Sequence, residues 1–386
     1  MSIALIIFLI SAGAVVYSYA VYPFLLLLLP RRRETTREDI TPSVTVLVSV
    51  FNEEKHIVAR IENLLAQDYP AVEILIGSDG SDDRTNELAR QFPVTLRAFS
   101  PRAGKPSVLN RLVPLATGEL LVFTDANAMF EQDALRKLVR HFSDAGIGGV
   151  CGRLVFHGPG RDTEEGPYWK METWLKRRES DVDSCLGANG AIYAIRKSAW
   201  PGIPDNALID DFVIGMRVRE QGLRFLYDAD AVAQEDLPTS VGHEMTRRIR
   251  IGAGGFQSLV LCWRSLLPWR GMYSWCFWSH KVLRWFAPFF MIAALVANFF
   301  LLPHPVFLVT MILQLAFYAL ALANLLLPRR TVLFSAPCRS ISRCCSVSSA
   351  SSRGRNARRG NGRPGKICAA LPVNLILRIT RLCRAN

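Results

Sequence analysis

Charge is missing from the first thirty residues: Met1 to Pro30 contain no Asp, Glu, Lys or Arg. At about 1.5 Å of rise per residue, that stretch is ample for a bilayer crossing. A cleaved signal peptide is disfavoured by the run's length and by the lack of Lys or Arg ahead of it. Acidic residues are missing from the other end. Residues 329–386 hold thirteen Lys plus Arg and no Asp or Glu, so the net charge of +13 belongs to this tail. Positions 1–328 balance at 33 against 33, and nucleic acid is not expected as a partner. The nine cysteines include no C-x-x-C pair, so no zinc site is expected. Two glycine clusters, 146–149 and 252–255, lack the strand–GxGxxG–helix context of a dinucleotide fingerprint. That argues against a dinucleotide-dependent oxidoreductase.

A second charge-poor block runs from Trp285 to Pro328, with no Asp, Glu, Lys or Arg and one histidine, His304. Pro303-His304-Pro305 divides it into segments of 18 and 22 residues. Proline is not tolerated in a helix interior, so two crossings joined by a tight turn are expected, with a re-entrant hairpin as the alternative. Arg31-Arg32-Arg33 follows the first apolar run. By the positive-inside rule, residues 31–284 are then cytoplasmic, which implies a multi-pass protein of the inner (plasma) membrane. Five of the eight tryptophans lie between Trp263 and Trp285, interleaved with Arg264, Arg270, Lys281 and Arg284. Such mixing suits helices lying among lipid headgroups. The expected organisation is a crossing at 1–30, a cytoplasmic α/β domain at 42–255 and an interfacial amphipathic segment at 256–284. Two crossings at 285–327 and a basic Cys/Ser/Arg-rich tail at 328–386 complete it. Two readings of the tail stand: a disordered segment drawn to anionic lipid, or a frame-shifted translation.

From Pro42 onward, short β-branched runs alternate with helical periodicity. Val44–Val50 reads as a strand buried on both faces, followed by a helix capped by Asn52 and carrying Ile57, Ile61, Leu64 and Leu65. Strands at 72–76, 94–98 and 120–124 are expected, with helices at 82–92 and 106–116 between them. The alternation predicts a parallel sheet with ligands at the carboxyl ends of its strands. Asp79 and Asp125 both fall there. Beyond, residues 168–183 read as a helix, 187–190 as a turn, 191–195 as a strand and Asp211 onward as a helix.

Three acidic sites and one basic cluster recur through this segment. A carboxylate at Asp79 can accept the N3–H of uracil, although Asp-Gly-Ser is also a common turn. Asp125-Ala126-Asn127 offers the hard oxygens that Mg2+ or Mn2+ prefers. In Ile209-Asp210-Asp211, the second acid can take a proton from an attacking hydroxyl while Asp210 caps or supports the helix start. Arg248 and Arg250, with Arg247, can neutralise a leaving diphosphate, and Lys105 gives a further phosphate-side cation.

With these residues in place, the chain resembles the family 2 inverting glycosyltransferases of bacterial membranes, such as cellulose, hyaluronan, chitin-oligosaccharide and poly-N-acetylglucosamine synthases. The resemblance covers about residues 42–327. Val50-Phe51-Asn52-Glu53-Glu54 is similar to the family's first strand end, and Asp79-Gly80-Ser81 to its uridine-reading segment. Gly104-Lys105 with Leu109-Asn110 resembles the stretch beside the donor, and Asp125-Ala126-Asn127 the metal-binding Asp-x-Asp. Asp210-Asp211 resembles the Glu-Asp pair that carries the base. Gly187-Ala188-Asn189-Gly190 resembles the acceptor-facing loop, which implies acceptor contacts from Gly187 and Asn189.

The implied fold is an α/β domain of GT-A type flanked by transmembrane helices. The implied donor is a UDP-sugar bound with Mg2+ or Mn2+ through Asn52, Glu53, Asp79, Lys105, Arg248 and Arg250. The implied acceptor is a glycan or a lipid, and membrane lipids are partners. Two departures are plain. Asn127 stands where the second Asp would be, and Arg247–Ile251 lacks the Gln and Trp of the processive Gln-x-x-Arg-Trp motif. A catalytically inactive scaffold subunit of a cell-envelope complex is the alternative from another functional class.

Overall fold

The computed structural model describes residues 2–32, 39–70, 72–157, 167–236 and 241–326. The expected tail at 328–386 lies outside them. Near the N-terminus, α1 (Ile3–Val16) and α2 (Tyr22–Leu28) are joined through a π turn. The first half of the domain runs β1 (Val44–Val50), α3 (Ile57–Leu65), β2 (Val72–Asp79), α4 (Thr85–Ala89), β3 (Thr95–Phe99), α5 (Lys105–Leu112) and β4 (Leu120–Thr124). The second half runs β5 (Ala128–Phe130), α6 (Ala134–Val139), β6 (Ile147–His157), α7 (Pro167–Val182), β7 (Tyr193–Arg196), α8 (Asp210–Glu220) and β8 (Arg224–Asp236). It ends with α9 (Val241–Leu261), α10 (Met272–Cys276), α11 (Leu283–Phe299) and α12 (Pro305–Leu326).

All eight strands form one sheet, in the order β3-β2-β1-β4-β7-β6-β8-β5. β1 pairs in parallel with β2 and β4, and β2 with β3. The parallel order expected from the sequence stops there. β7 runs antiparallel to both β4 and β6, and β5 antiparallel to β8. Antiparallel neighbours need no crossover helix, so strict strand–helix alternation carries no information past β4. The sheet is covered on both faces, as the β-branched composition of β1 requires. Leu47 packs into one core, while Val44, Val46, Val48 and Val50 pack into the other. Each such side chain contributes about 1.5–3 kcal/mol on burial. Because β1, β2 and β4 are parallel, their carboxyl ends bring Asn52, Asp79 and Asp125 to one edge.

Two local expectations are corrected. Asn52 does not cap α3, whose N-cap is His56. It adopts a left-handed φ of 54° and pairs with Asp82 instead, donating from Nδ2 at 2.7 Å. Nor does Asp210 cap α8: Ile209 holds that position, and both acids lie in the first turn, where the helix dipole favours them.

Among the described residues, three helices are long and apolar enough to cross a membrane: Ile3–Leu28, Met272–Phe299 and Pro305–Ala323. The second begins before Trp285, so this long apolar helix takes in residues 272–284 of the expected interfacial segment. Its charges are hidden by pairing. His280 contacts Glu179 at 2.6 Å and Glu172 at 3.0 Å, and Lys281 pairs with Glu172. Tyr22 donates to the same Glu179 at 2.6 Å, which ties α7 to both apolar ends of the chain. What remains between α9 and α10 is a pair of short 3-10 turns with Trp263 and Trp269 exposed.

Candidate active site

The β2 end is built around Asp79. Its Oδ1 accepts the Ala103 amide at 2.7 Å, and its Oδ2 the Gly104 amide at 2.8 Å. The carboxylate thus anchors the loop ahead of α5, where Gly104 takes a φ of +94° that an L side chain would resist. Asp79 therefore acts first on Lys105, one residue on. Glu53 and Asn52 bind the neighbouring loop. The Glu53 amide donates to Thr85 Oγ1 at 2.8 Å, and the Asn52 amide to Ser81 Oγ at 3.1 Å.

Lys105 reaches across the strand ends. Its Nζ donates to Asp125 Oδ1 at 2.6 Å and lies 3.7 Å from Asp210 Oδ2. Burial works against the ammonium, but Asp125 and Asp210 outweigh it and raise its pKa well above the ordinary lysine value. Burial likewise opposes charge on Asp125. Lys105, and then Arg250 and Arg247, overcome that and hold this carboxyl below the usual range. Asp125 is therefore an anion at neutral pH.

Asp211 behaves the other way. Burial, and then the charge of Asp210, push its pKa up to about 6. A carboxylate with that value is near the optimum for a general base at neutral pH. Its Oδ1 accepts the Phe212 amide at 2.8 Å, which leaves Oδ2 to face the site. The two acids converge at Gly190. A Cβ added there would lie 3.3 Å from Asp211 Oδ2 and 3.5 Å from Asp125 Oδ2. Glycine keeps that point open to a ligand.

Several expected residues stand elsewhere. Gly187 and Asn189, expected to meet the acceptor, are buried within the loop. Gly187 has a φ of +73°, and an added Cβ would come within 2.4 Å of Phe212. Asn189 donates from Nδ2 to the Gly152 carbonyl at 2.9 Å and accepts from Lys176 through Oδ1. Both close the loop onto α8 and β6, and Gly190 is the member that reaches the acids. On α9, residues three apart share a face, so Arg247 and Arg250 act on Asp125 together. Arg248, half-buried, is about 100° round the helix from Arg247.

Two residues went unread in the sequence. Glu235, at the end of β8, accepts from Asn127 Nδ2 at 2.6 Å, and burial and then Asp125 raise its pKa. Tyr193 is fully buried with its hydroxyl unpartnered, and Asp210, Asp211 and Asp125 all act on it. Among the described residues, no group of three or more His, Cys, Asp or Glu is placed to hold a metal. Asp125, Asn127 and Glu235 offer an incomplete set of hard oxygens beside an open point. That suits a Mg2+ or Mn2+ ion which keeps waters and shares phosphate oxygens.

The sheet, its covering helices and the acids at its carboxyl edge define an α/β domain of GT-A type. Its architecture is similar to that of a mannosyltransferase from Pyrobaculum calidifontis in complex with GDP-Man and Mn2+. The TM-score is 0.68 at 22% sequence identity, over 90% of this chain and 96% of that one. Residues 45–199, from β1 to just past β7, match the profile of Glycosyl transferase family 2, and this segment is a domain of that family.

Two curated relatives are similar to part of the chain. The chain is 24% identical to a poly-beta-1,6-N-acetyl-D-glucosamine synthase of Staphylococcus aureus over 233 residues, which is 58% of this chain and 57% of that protein. It is 25% identical to a beta-monoglucosyldiacylglycerol synthase of Trichormus variabilis over 262 residues, 62% of this chain and 54% of that protein. The chain spans a little over half the length of the curated relatives it matches.

Proposed function

We propose that the chain is a membrane-embedded inverting glycosyltransferase. It moves a hexose or N-acetylhexosamine from a UDP-sugar to a glycan or lipid-linked acceptor. The observation that carries this reading is the pair Asp125 and Asp211: one held ionised, the other poised near neutrality, both facing the open point at Gly190. Asp211 takes the proton from the acceptor hydroxyl as its oxygen attacks the anomeric carbon. The nucleoside diphosphate leaves from the opposite face, so the configuration inverts. Asp125, with Asn127 and Glu235, would hold the divalent cation, which when bound neutralises charge on the diphosphate. Lys105, Arg250 and Arg247, with Arg248 beside them, supply fixed positive charge to the same leaving group. Asn52, Glu53 and Asp79 shape the nucleoside side.

The 42–255 domain is placed on the cytoplasmic side of the membrane, where nucleotide sugars are made, with the three apolar helices as its crossings. An inactive scaffold in a cell-envelope complex has no observation in its favour: Asp79, Asp125 and Asp211 are present with the cations Lys105, Arg247 and Arg250. The two curated relatives support a glycan and a glycerolipid acceptor alike. The test is incubation of the detergent-purified full-length protein with UDP- and GDP-sugars and both acceptor types, with products read by mass spectrometry. A ladder of glycans assigns a polymerase, and a single addition assigns a lipid-directed transferase. If no donor is bound or consumed, the reading is wrong.

A further inference from the structure

We infer that Arg60 is a positioning residue. From inside the domain it fixes Thr124 and, through Thr124, the loop bearing Gly190, so that Asp125 and Asp211 face one point. The inference rests on the transferase reading above. Arg60, on α3, is fully buried. Its NH1 donates to Asn63 Oδ1 at 2.6 Å, its NH2 donates to Thr124 Oγ1 at 2.7 Å, and its guanidinium lies 4.2 Å over the Phe130 ring. Thr124 Oγ1 in turn donates to the Ala191 carbonyl at 2.7 Å. Thr124 adjoins Asp125 in the chain, and Ala191 adjoins Gly190. The relay therefore runs from a rigid helix, through the β4 end, to the loop that faces Asp211. It extends the β4–β7 pairing, whose last register pair is Phe123 with Tyr193, past its end.

Folding alone does not explain an arginine here. Burying a guanidinium away from water is unfavourable unless an anion compensates it closely. Among the described residues Arg60 forms no ion pair with a carboxylate, Asp125 acting on it only at longer range, and its Nε has no hydrogen-bond partner. Its neighbours do not need it either. Asn63 Oδ1 also accepts the Phe130 amide at 2.8 Å, Asn63 Nδ2 donates to the Phe130 carbonyl at 2.9 Å, and Thr124 keeps Ala191. A methionine at 60 would fill much of the same volume and strand no polar atom. What it would lose is the two-armed clamp between Asn63 and Thr124. Arginine suits that clamp because its planar fork loses little rotamer freedom per bond formed.

The experiment compares full-length wild type with Arg60→Met and Arg60→Lys in detergent, by thermal melting, amide hydrogen exchange and donor kinetics. Arg60→Met should melt within about 2 °C of wild type or above it. Its 187–192 amides should exchange at least about tenfold faster, with β1 and β2 amides unchanged. Its kcat should fall by about 10–100-fold with donor KM within about threefold, as for other lost supporting contacts. Arg60→Lys, which keeps the charge but not the fork, should restore exchange protection only in part.

Unchanged exchange over 187–192 in Arg60→Met overturns the positioning role, whether or not turnover is detected. Faster exchange throughout β1 and β2, with a lowered melting temperature, overturns it in favour of general core support. A wild type that consumes no donor, yet whose variants show the expected exchange pattern, sinks the transferase reading and leaves the positioning role standing.

Discussion

Asp125, just past β4, and Asp211, in the first turn of α8, converge on Gly190, and their surroundings drive their acidities apart. Lys105 holds one charged, while burial and Asp210 make the other a base. Asp211→Asn should lower turnover by about 10²–10⁴-fold while nucleotide binding by calorimetry is retained. Gly190→Ala tests the shared point. Its backbone is not left-handed and the new contacts are 3.3 and 3.5 Å, so stability should barely change. Turnover should fall at least about tenfold, since displacement of a reacting group by about 1 Å costs far more than that. Unaltered turnover in Gly190→Ala would move the reacting atoms elsewhere. At this scale the strand-end acids and Lys105 could be read from sequence, because an acid directly after an apolar strand has few other uses. Glu235 could not. It lies 108 residues from Asn127, and nothing local marks it. The sequence does not separate Arg247 from Arg248, because charge alone does not tell which helix face meets the site.

The junction between α6 and β8 can be tested separately from the chemistry. Asp228 accepts from Arg140 NH2 at 2.8 Å and contacts His141 at 2.7 Å, all within the protein. Burial opposes its charge, but His141 and Arg140 prevail and lower its pKa to about 2. The folded carboxyl thus titrates below the unfolded one. Its contribution is complete above about pH 4 and is lost as pH falls from there toward 2, and amounts to about 2 kcal/mol. Asp228→Asn should cost about that much in denaturant unfolding at pH 7, and the difference should vanish below pH 2. A variant as stable as wild type at pH 7 would mean that the cluster is loosely held. Among the elements, β1 to β4 and their order could be read from alternation and β-branching. The antiparallel placement of β7 could not, because it depends on how a long excursion through α7 returns to the β4 edge.

For the molecule as a whole, the absence of charge marks apolar helices long enough to cross a membrane, and paired charge disguises the start of one. His280, Lys281 and Arg284 looked interfacial in sequence, yet they lie against Glu172 and Glu179 on α7. That network fastens the domain to its apolar helices, and Met272–Phe299 begins ahead of Trp285. If both C-terminal helices cross, the turn at His304 faces away from the domain. His304→Cys should then react with an impermeant maleimide on intact cells, whereas Arg102→Cys should react only after lysis. Reaction of both, or of neither, before lysis would contradict the arrangement. The central claim is that Asp211 is the base of a sugar transfer at this site. It is tested most directly by the pH dependence of nucleotide release from the preferred donor, for wild type and Asp211→Asn. The account predicts a wild-type kcat/KM that falls below a midpoint near pH 6, as the carboxylate takes its proton, and an Asp211→Asn profile that is low and lacks this limb. An Asp211→Asn enzyme with wild-type turnover, or with the same acid limb, would contradict it.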